Sequence, residues 1–422
     1  MAPQATENGS GGVKESAVRR YQLSLQELEG IKAYSYKAGG YTVMDNLLSP
    51  YWNYMVTWLP RWMAPNLVTF SGLCMVGVST AILLYHSPHF DVAVPSWCYF
   101  LYAVTIFCYQ TLDAIDGKQA RRTNSSTPLG QLFDHGCDAL VKVFFILATG
   151  PCMKLTSSVR VMVLFCNTEV AFYLAQWEEY HTGMLLWSNG YFGVTESQFS
   201  QMWLYIMSGL FTEEVWQIKL ASLLPAGYKV PLLESGFLTI ENFILTLFSL
   251  ITTSMFVTTA WRVWPAKAED LPAIERGSKT IGVRIGLMQL VPMAALMIAG
   301  FLSCTGPGAE VFGKFPALQM MGLGCISTHL TTRMIIHHMA KTPLTTQDWT
   351  LPSLLCLVAA TLNLYWEILG LGDASPLDHE TAQLTWVGLA LASYVYYVVG
   401  SVRDICNHLN VRCFHISQYR VD

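Results

Sequence analysis

The segment Thr111–Leu140, reading TLDAIDGKQARRTNSSTPLGQLFDHGCDAL, holds the residues best placed for chemistry. Asp113 and Asp116 stand three residues apart, and Asp134 and Asp138 four apart. On α-helices these spacings put each pair on one face. The 17 residues between Asp116 and Asp134 suffice for a tight helical hairpin, so four carboxylates can converge on one cavity. Four negative charges in one pocket repel, and most must take up protons unless cations neutralise them. Oxygen ligands alone suit hard divalent ions such as Mg²⁺ or Mn²⁺. Four carboxylates are enough for two ions with shared ligands, an arrangement that steadies both the attacking and the leaving oxygen in phosphoryl transfer.

The residues between them agree. Gly117 and Ala120 continue the Asp113/Asp116 face with almost no side chain, so a ligand can lie against backbone. Gly130, Asp134 and Asp138 form an i, i+4, i+8 stripe, in which Gly130 opens space above the carboxylates. Arg121 offers a planar cation for a phosphate oxygen. Lys118 and Arg122 can equally face anionic lipid. His135 lies beside Asp134 and three residues before Asp138. Its ordinary pKa is near neutrality, which suits it to accept a proton. A metal-bound Asp is held ionised and makes a poorer base. From these residues alone the chemistry is metal-assisted phosphoryl transfer, with the substrate open.

The elements that carry this hairpin are apolar. Of 422 residues, 52% are hydrophobic and 13% charged; soluble proteins average about 25% charged. That disfavours a soluble globule, a disordered chain and a disulfide-stapled module. The fold class expected is an all-α polytopic membrane protein. A span needs ~20 mostly apolar residues. About ten segments qualify or nearly do: Leu67–Tyr85, Ala93–Leu112, Gln131–Cys152, Ser158–Gln176, Ser197–Phe211, Ile240–Trp261, Ile281–Ser303, Pro316–Met339, Trp349–Leu369 and Gln383–Val402. Before them Leu47–Met63 mixes Trp52, Tyr54, Trp58 and Trp62 with one basic residue, Arg61, as an N-terminal amphipathic helix lying in the interface would.

With the N-terminus in the cytosol and the sides alternating, the cytosolic loops collect Lys118, Arg121, Arg122, Arg262, Lys267, Arg276, Lys279, Lys341, Arg403, Arg412 and Arg420. The opposite loops hold Lys154, Lys219, Lys229 and Lys314. This asymmetry follows the positive-inside tendency and favours an even number of spans with both termini cytosolic. The expected organisation is a cytosolic N-terminal segment with the interfacial helix over 1–63, catalytic helices over 64–212, further transmembrane helices over 213–402 and a cytosolic tail over 403–422.

The 11 cysteines are scattered without a C-x-x-C pair, as structural thiols rather than disulfides or zinc ligands. The polar first 40 residues do not read as a cleavable signal peptide. The sequons at Asn8 and Asn124 fall on the cytosolic side and are discounted. The net charge of −4 carries no polyanion-binding signature, so nucleic acid is not an expected partner. Trp177, Glu178, Glu179 and Tyr180 can receive a quaternary ammonium, but read more simply as an interfacial belt with solvated charges. Glu169, Glu241, Arg284 and Glu367 lie within or near spans and receive no role. His337 and His338 mark the end of the eighth span rather than a metal site.

The pattern Asp113-x-x-Asp116-Gly117-x-x-Ala120-Arg121, eight residues, then Gly130-x-x-x-Asp134-x-x-x-Asp138 resembles at every position the signature of the CDP-alcohol phosphotransferase family. The strings DGKQARRTNSSTPLG and LFDHGCD, and Ala64-Pro65-Asn66-Leu67 before the first span, are similar to its choline/ethanolamine phosphotransferase branch. The resemblance implies a multi-pass enzyme of the endoplasmic reticulum or Golgi, often a homodimer, with its active site facing the cytosol. It implies transfer of phosphocholine or phosphoethanolamine from CDP-choline or CDP-ethanolamine to diacylglycerol, with release of CMP. It further implies that Asp113, Asp116, Asp134 and Asp138 bind two Mg²⁺, with Mn²⁺ as a substitute. Asn66 and Arg121 would contact the CDP moiety, Gly117, Ala120 and Gly130 would make room for it, and His135 would be the base. Relatives usually have Glu where this chain has Gln131, which can orient an imidazole but adds no charge. Another alcohol acceptor, such as inositol, is the nearer alternative. A cation transporter is the remote one, because no second carboxylate set sits at mid-depth.

Overall fold

The computed structural model describes residues 22–34, 41–156, 158–183, 193–223, 225, 238–263, 283–344 and 351–416. Among them the chain forms thirteen α-helices. They are α1 (Leu25–Lys32), α2 (Val43–Trp58), α3 (Pro65–His86), α4 (Ser96–Arg122), α5 (Pro128–Met153), α6 (Ser158–Thr182) and α7 (Val194–Phe211). Then come α8 (Ile240–Val263), α9 (Val283–Cys304), α10 (Ala309–Lys314), α11 (Pro316–Ala340), α12 (Pro352–Leu364) and α13 (His379–Leu409). The Asn8 sequon, Lys229, Lys267, Arg276, Lys279, Arg420, the Arg284 side chain, Ile281 and Trp349 lie outside the described residues.

Among the described residues, seven helices are long and apolar enough to cross a membrane: α3, α4, α5, α6, α8, the Gly286–Cys304 part of α9, and α13. The other three expected spans are also helical. However, α12 has only 13 residues, and α7 and α11 are more polar. The reason is clearest in α11, where Gln319, Ser327, Thr328, Thr331 and His337 are all buried. Its neighbours α5, α6, α9 and α13 enclose it. A helix surrounded by protein can carry polar side chains that a lipid-facing one cannot. In the segment expected to be interfacial, α2 buries Trp52 and Val56 and exposes Tyr54 and Trp58.

Local chemistry sets the hairpin. At the end of α4, Thr123 is the C-cap and Asn124 takes a left-handed φ of 53°, which Asn tolerates. Three residues on, Thr127 caps α5, its hydroxyl accepting from the Gly130 N–H at 3.1 Å, and Pro128 occupies the first turn. The two helices then pack against α3. α5 also runs close to α11: a Cβ added to Gly324 would stand 2.4 Å from Val143 Cγ1, so the approach needs glycine there.

One turn beyond Asp138 on the same stripe, Lys142 is buried and pairs with Glu169 of α6. Ser327 of α11 also donates to Glu169, and the Lys142 ammonium lies 4.5 Å from the centre of the Phe172 ring. Three helices meet on this pair. Removing one member leaves the other charged and buried, at a cost of about 3–5 kcal/mol. We therefore expect Lys142→Ala to lower the thermal unfolding temperature in detergent, and Lys142→Met combined with Glu169→Met to lower it much less. Equal losses would show that the pairing is immaterial.

Candidate functional site

The last turns of α4 and the first turns of α5 bring the acidic residues together. Carboxylate oxygens of Asp113, Asp134 and Asp138 all lie within 4.8 Å of one another. Asp116, one turn along α4, contacts Asp134 and accepts from the Thr69 hydroxyl of α3 at 2.5 Å. Tyr109, one turn before Asp113, donates its phenol to Asp138. Asp113 Oδ1 and Asp134 Oδ1 are buried, and neither meets a donor among the described residues. Buried acceptors of this kind require a proton or a cation. An all-oxygen donor set with unsatisfied lone pairs fits a hard divalent ion.

Asn66 stands in the first turn of α3, buried, with its Oδ1 3.6 Å from where a Gly130 Cβ would lie. The hairpin and Asn66 therefore face each other across the gap that glycine leaves. The loop leading into α3 is tied down by α4. Gln119 Nε2 donates to the carbonyls of Pro60 and Met63 at 2.9 and 3.0 Å. The Arg122 guanidinium donates to the carbonyls of Val56 and Leu59 at 2.9 and 2.8 Å, and Lys118 Nζ reaches Asn53 Oδ1 at 2.8 Å. Lys118 and Arg122 thus hold α2 in place. Arg121 is different: it is exposed and has no hydrogen-bond or ion-pair partner among the described residues. Its Nη1 lies 3.6 Å from the site of a Gly117 Cβ, so this free cation and the bare backbone of Gly117 share one surface. Ala120, next to it, is half-buried.

His135 is buried, on a face of α5 rotated away from the Asp134/Asp138 stripe. It lies within electrostatic reach of His338 on α11. His338 Nε2 in turn is 3.5 Å from Glu179 Oε1 of α6, and its ring meets the edge of Tyr34 at 5.9 Å. Gln131 Nε2 donates to the Tyr34 hydroxyl at 3.1 Å. A carboxylate from another helix, Glu179, thus lies beside His338.

The run Trp177–Tyr180 is neither an exposed belt nor a set of solvated charges. All four residues are buried. Trp177 Nε1 donates to Gln289 Oε1 at 2.9 Å, Tyr180 to the Thr342 carbonyl at 3.2 Å, and Arg262 grips Glu178 with two nitrogens at 2.5 and 2.8 Å. Thr69, Tyr109, Gln119 and Tyr34 were not singled out from the sequence. Tyr109 four residues before Asp113 and Thr69 three after Asn66 were visible as polar residues on the right faces, but not what they touch across helices.

A family model described as CDP-alcohol phosphatidyltransferase matches residues 62–213. Cholinephosphotransferase 1 of Xenopus laevis is 31% identical over 400 residues, covering 94% of this chain and 91% of the relative. Cholinephosphotransferase 1 of Danio rerio is 30% identical over 399 residues, covering 94% and 96%. Choline/ethanolaminephosphotransferase 1 of Arabidopsis thaliana is 29% identical over 379 residues, covering 88% and 92%. With all eight signature positions gathered on one hairpin of an all-α membrane protein, the chain belongs to the CDP-alcohol phosphotransferase family.

Proposed function

We propose that this protein transfers phosphocholine, phosphoethanolamine or both from the CDP-alcohol to diacylglycerol, giving phosphatidylcholine or phosphatidylethanolamine and CMP. The observation that carries the reading is the carboxylate cluster of Asp113, Asp134 and Asp138 within 4.8 Å, with Asp116 beside it. The names of the relatives supply the donor class. In the reaction the diacylglycerol hydroxyl oxygen bonds to the phosphorus that bears the amino-alcohol. The bond from that phosphorus to the bridging oxygen breaks, and CMP leaves with its electron pair.

Two Mg²⁺ or Mn²⁺ ions held by the four Asp would neutralise the diphosphate and the charge that grows on the leaving oxygen. Arg121 sets its guanidinium against a phosphate oxygen, as its free and exposed position allows. Asn66 contacts the CDP moiety, which lies along the backbone at Gly117, Ala120 and Gly130. His135 takes the hydroxyl proton on an imidazole nitrogen; Gln131, the neighbouring side chain one turn earlier, adds no charge to that task. We place the catalytic helices within 64–212, facing the cytosolic side of an endoplasmic-reticulum or Golgi membrane, with α2 in the interface. The working form is a homodimer.

Purified protein given diacylglycerol, Mg²⁺ and either CDP-choline or CDP-ethanolamine should form lipid and CMP, and the ratio of the two rates reports headgroup preference. Absence of product with both donors would refute the reading. Stripping divalent ions with EDTA should abolish turnover, and Mg²⁺ or Mn²⁺ should restore it; Asp134→Asn should not be restored. Loss of a general base lowers rates by about 10²–10⁴-fold. His135→Ala should therefore lose that much kcat while keeping CDP-alcohol binding, and wild-type turnover in this variant would remove His135 from the role.

A further inference from the structure

The chain reverses after α13 at Asn410, which caps the helix with a left-handed φ of 53°. The backbone N–H of Val411 donates to the Cys406 carbonyl at 3.0 Å. Val411 is buried in the same apolar cluster as Leu129 and Leu132 at the start of α5. The next residues therefore lie over the mouth of the hairpin.

Three contacts along one face of α3 define where they sit. Asn66 Nδ2 donates to Cys413 Sγ at 3.7 Å. Three residues on, Thr69 donates to Asp116. Four residues after Asn66, the Phe70 ring meets Phe414 at 5.4 Å. Phe414 also meets Phe133, the neighbour of Asp134, edge-on at 5.6 Å. The tail thus meets α3 about one helical turn from the residue that donates to a carboxylate of the cluster. Phe414 and Phe70 stay 40% and 39% exposed, so aromatic surface is left open there. The hydrogen bond with Cys406 and burial hold the Cys413 thiol above its ordinary range. Beside Asn66 it is therefore a neutral thiol at physiological pH.

We propose that Val411–Ile416 is the outer wall of the nucleotide site, with Cys413 holding Asn66 in place and Phe414 offering an aromatic face to the pyrimidine of the CDP moiety. This rests on the functional reading above. Every base has a π-face, and stacking on an aromatic side chain contributes about 1–3 kcal/mol.

The test compares Phe414→Leu, which keeps apolar volume but removes the π-face, with Phe414→Trp, which restores it. Full-length protein in detergent is assayed for transfer, and CMP binding with Mg²⁺ is measured by calorimetry. Phe414→Leu should raise the KM for the CDP-alcohol and the Kd for CMP about tenfold. The KM for diacylglycerol and the unfolding temperature should stay at wild-type values, and Phe414→Trp should behave as wild type. Unchanged donor KM and CMP affinity in Phe414→Leu would overturn the inference. So would a parallel rise in diacylglycerol KM with lower thermal stability, since that marks a packing role. Wild-type protein that binds CMP but transfers from neither donor would fail the functional reading alone, and the calorimetric comparison would still decide the wall. Wild-type protein that does not bind CMP would overturn both.

Discussion

Like charge brought together in an apolar body is the constraint on which this structure turns. Asp113, Asp134 and Asp138 present oxygens within 4.8 Å of one another, and two of those residues keep a buried oxygen without a donor among the described residues. Water cannot screen them as it would at a surface, and protein donors reach only part of the set: Tyr109 serves Asp138 and Thr69 serves Asp116. Such a cluster is stable only if protons or cations complete it, and the surrounding helices must resist the repulsion meanwhile.

Resistance comes from how α3, α4 and α5 are fastened. The hairpin between α4 and α5 is short and capped at both ends. α3 is held by contacts that start from α4, since Gln119 and Arg122 bind the carbonyls that close α2 and lead into Asn66. The acidic residues and Asn66 therefore share one support. Side chains that the sequence marked as basic and ambiguous, Lys118 and Arg122, spend their charge on this scaffold, which leaves Arg121 as the cation open to a ligand.

Around the site, buried polar groups are paired across helices. Lys142 with Glu169, Arg262 with Glu178 and His338 with Glu179 each join separate elements. Charged groups at such depth are expensive unless partnered. On α11 the buried Ser327 and Thr328 likewise find partners, Glu169 and the Ala139 carbonyl, so a helix enclosed by protein can stay polar where hydropathy alone would not read a span. The expected count of ten came from apolar stretches. Among the described residues seven helices are long and apolar enough to span, and α7, α11 and α12 form as shorter or more polar helices.

The hairpin, its four Asp, the small residues and Arg121 were legible from the chain alone, because their spacing is local and a helix turns local spacing into a shared face. The membrane class was legible for a similar reason: composition is a sum over residues and needs no geometry. What only the tertiary structure decided were contacts between residues far apart in the chain. Asn66 meets Cys413 across 347 residues, Thr69 reaches Asp116 across 47, and Tyr34 meets Gln131 across 97. Glu179, which reads as a solvated interfacial charge, is instead buried and lies 3.5 Å from His338 on another helix. No period or motif encodes such meetings, because they depend on which helices pack together and in what rotation, and that is set by the fit of whole apolar faces rather than by any one spacing.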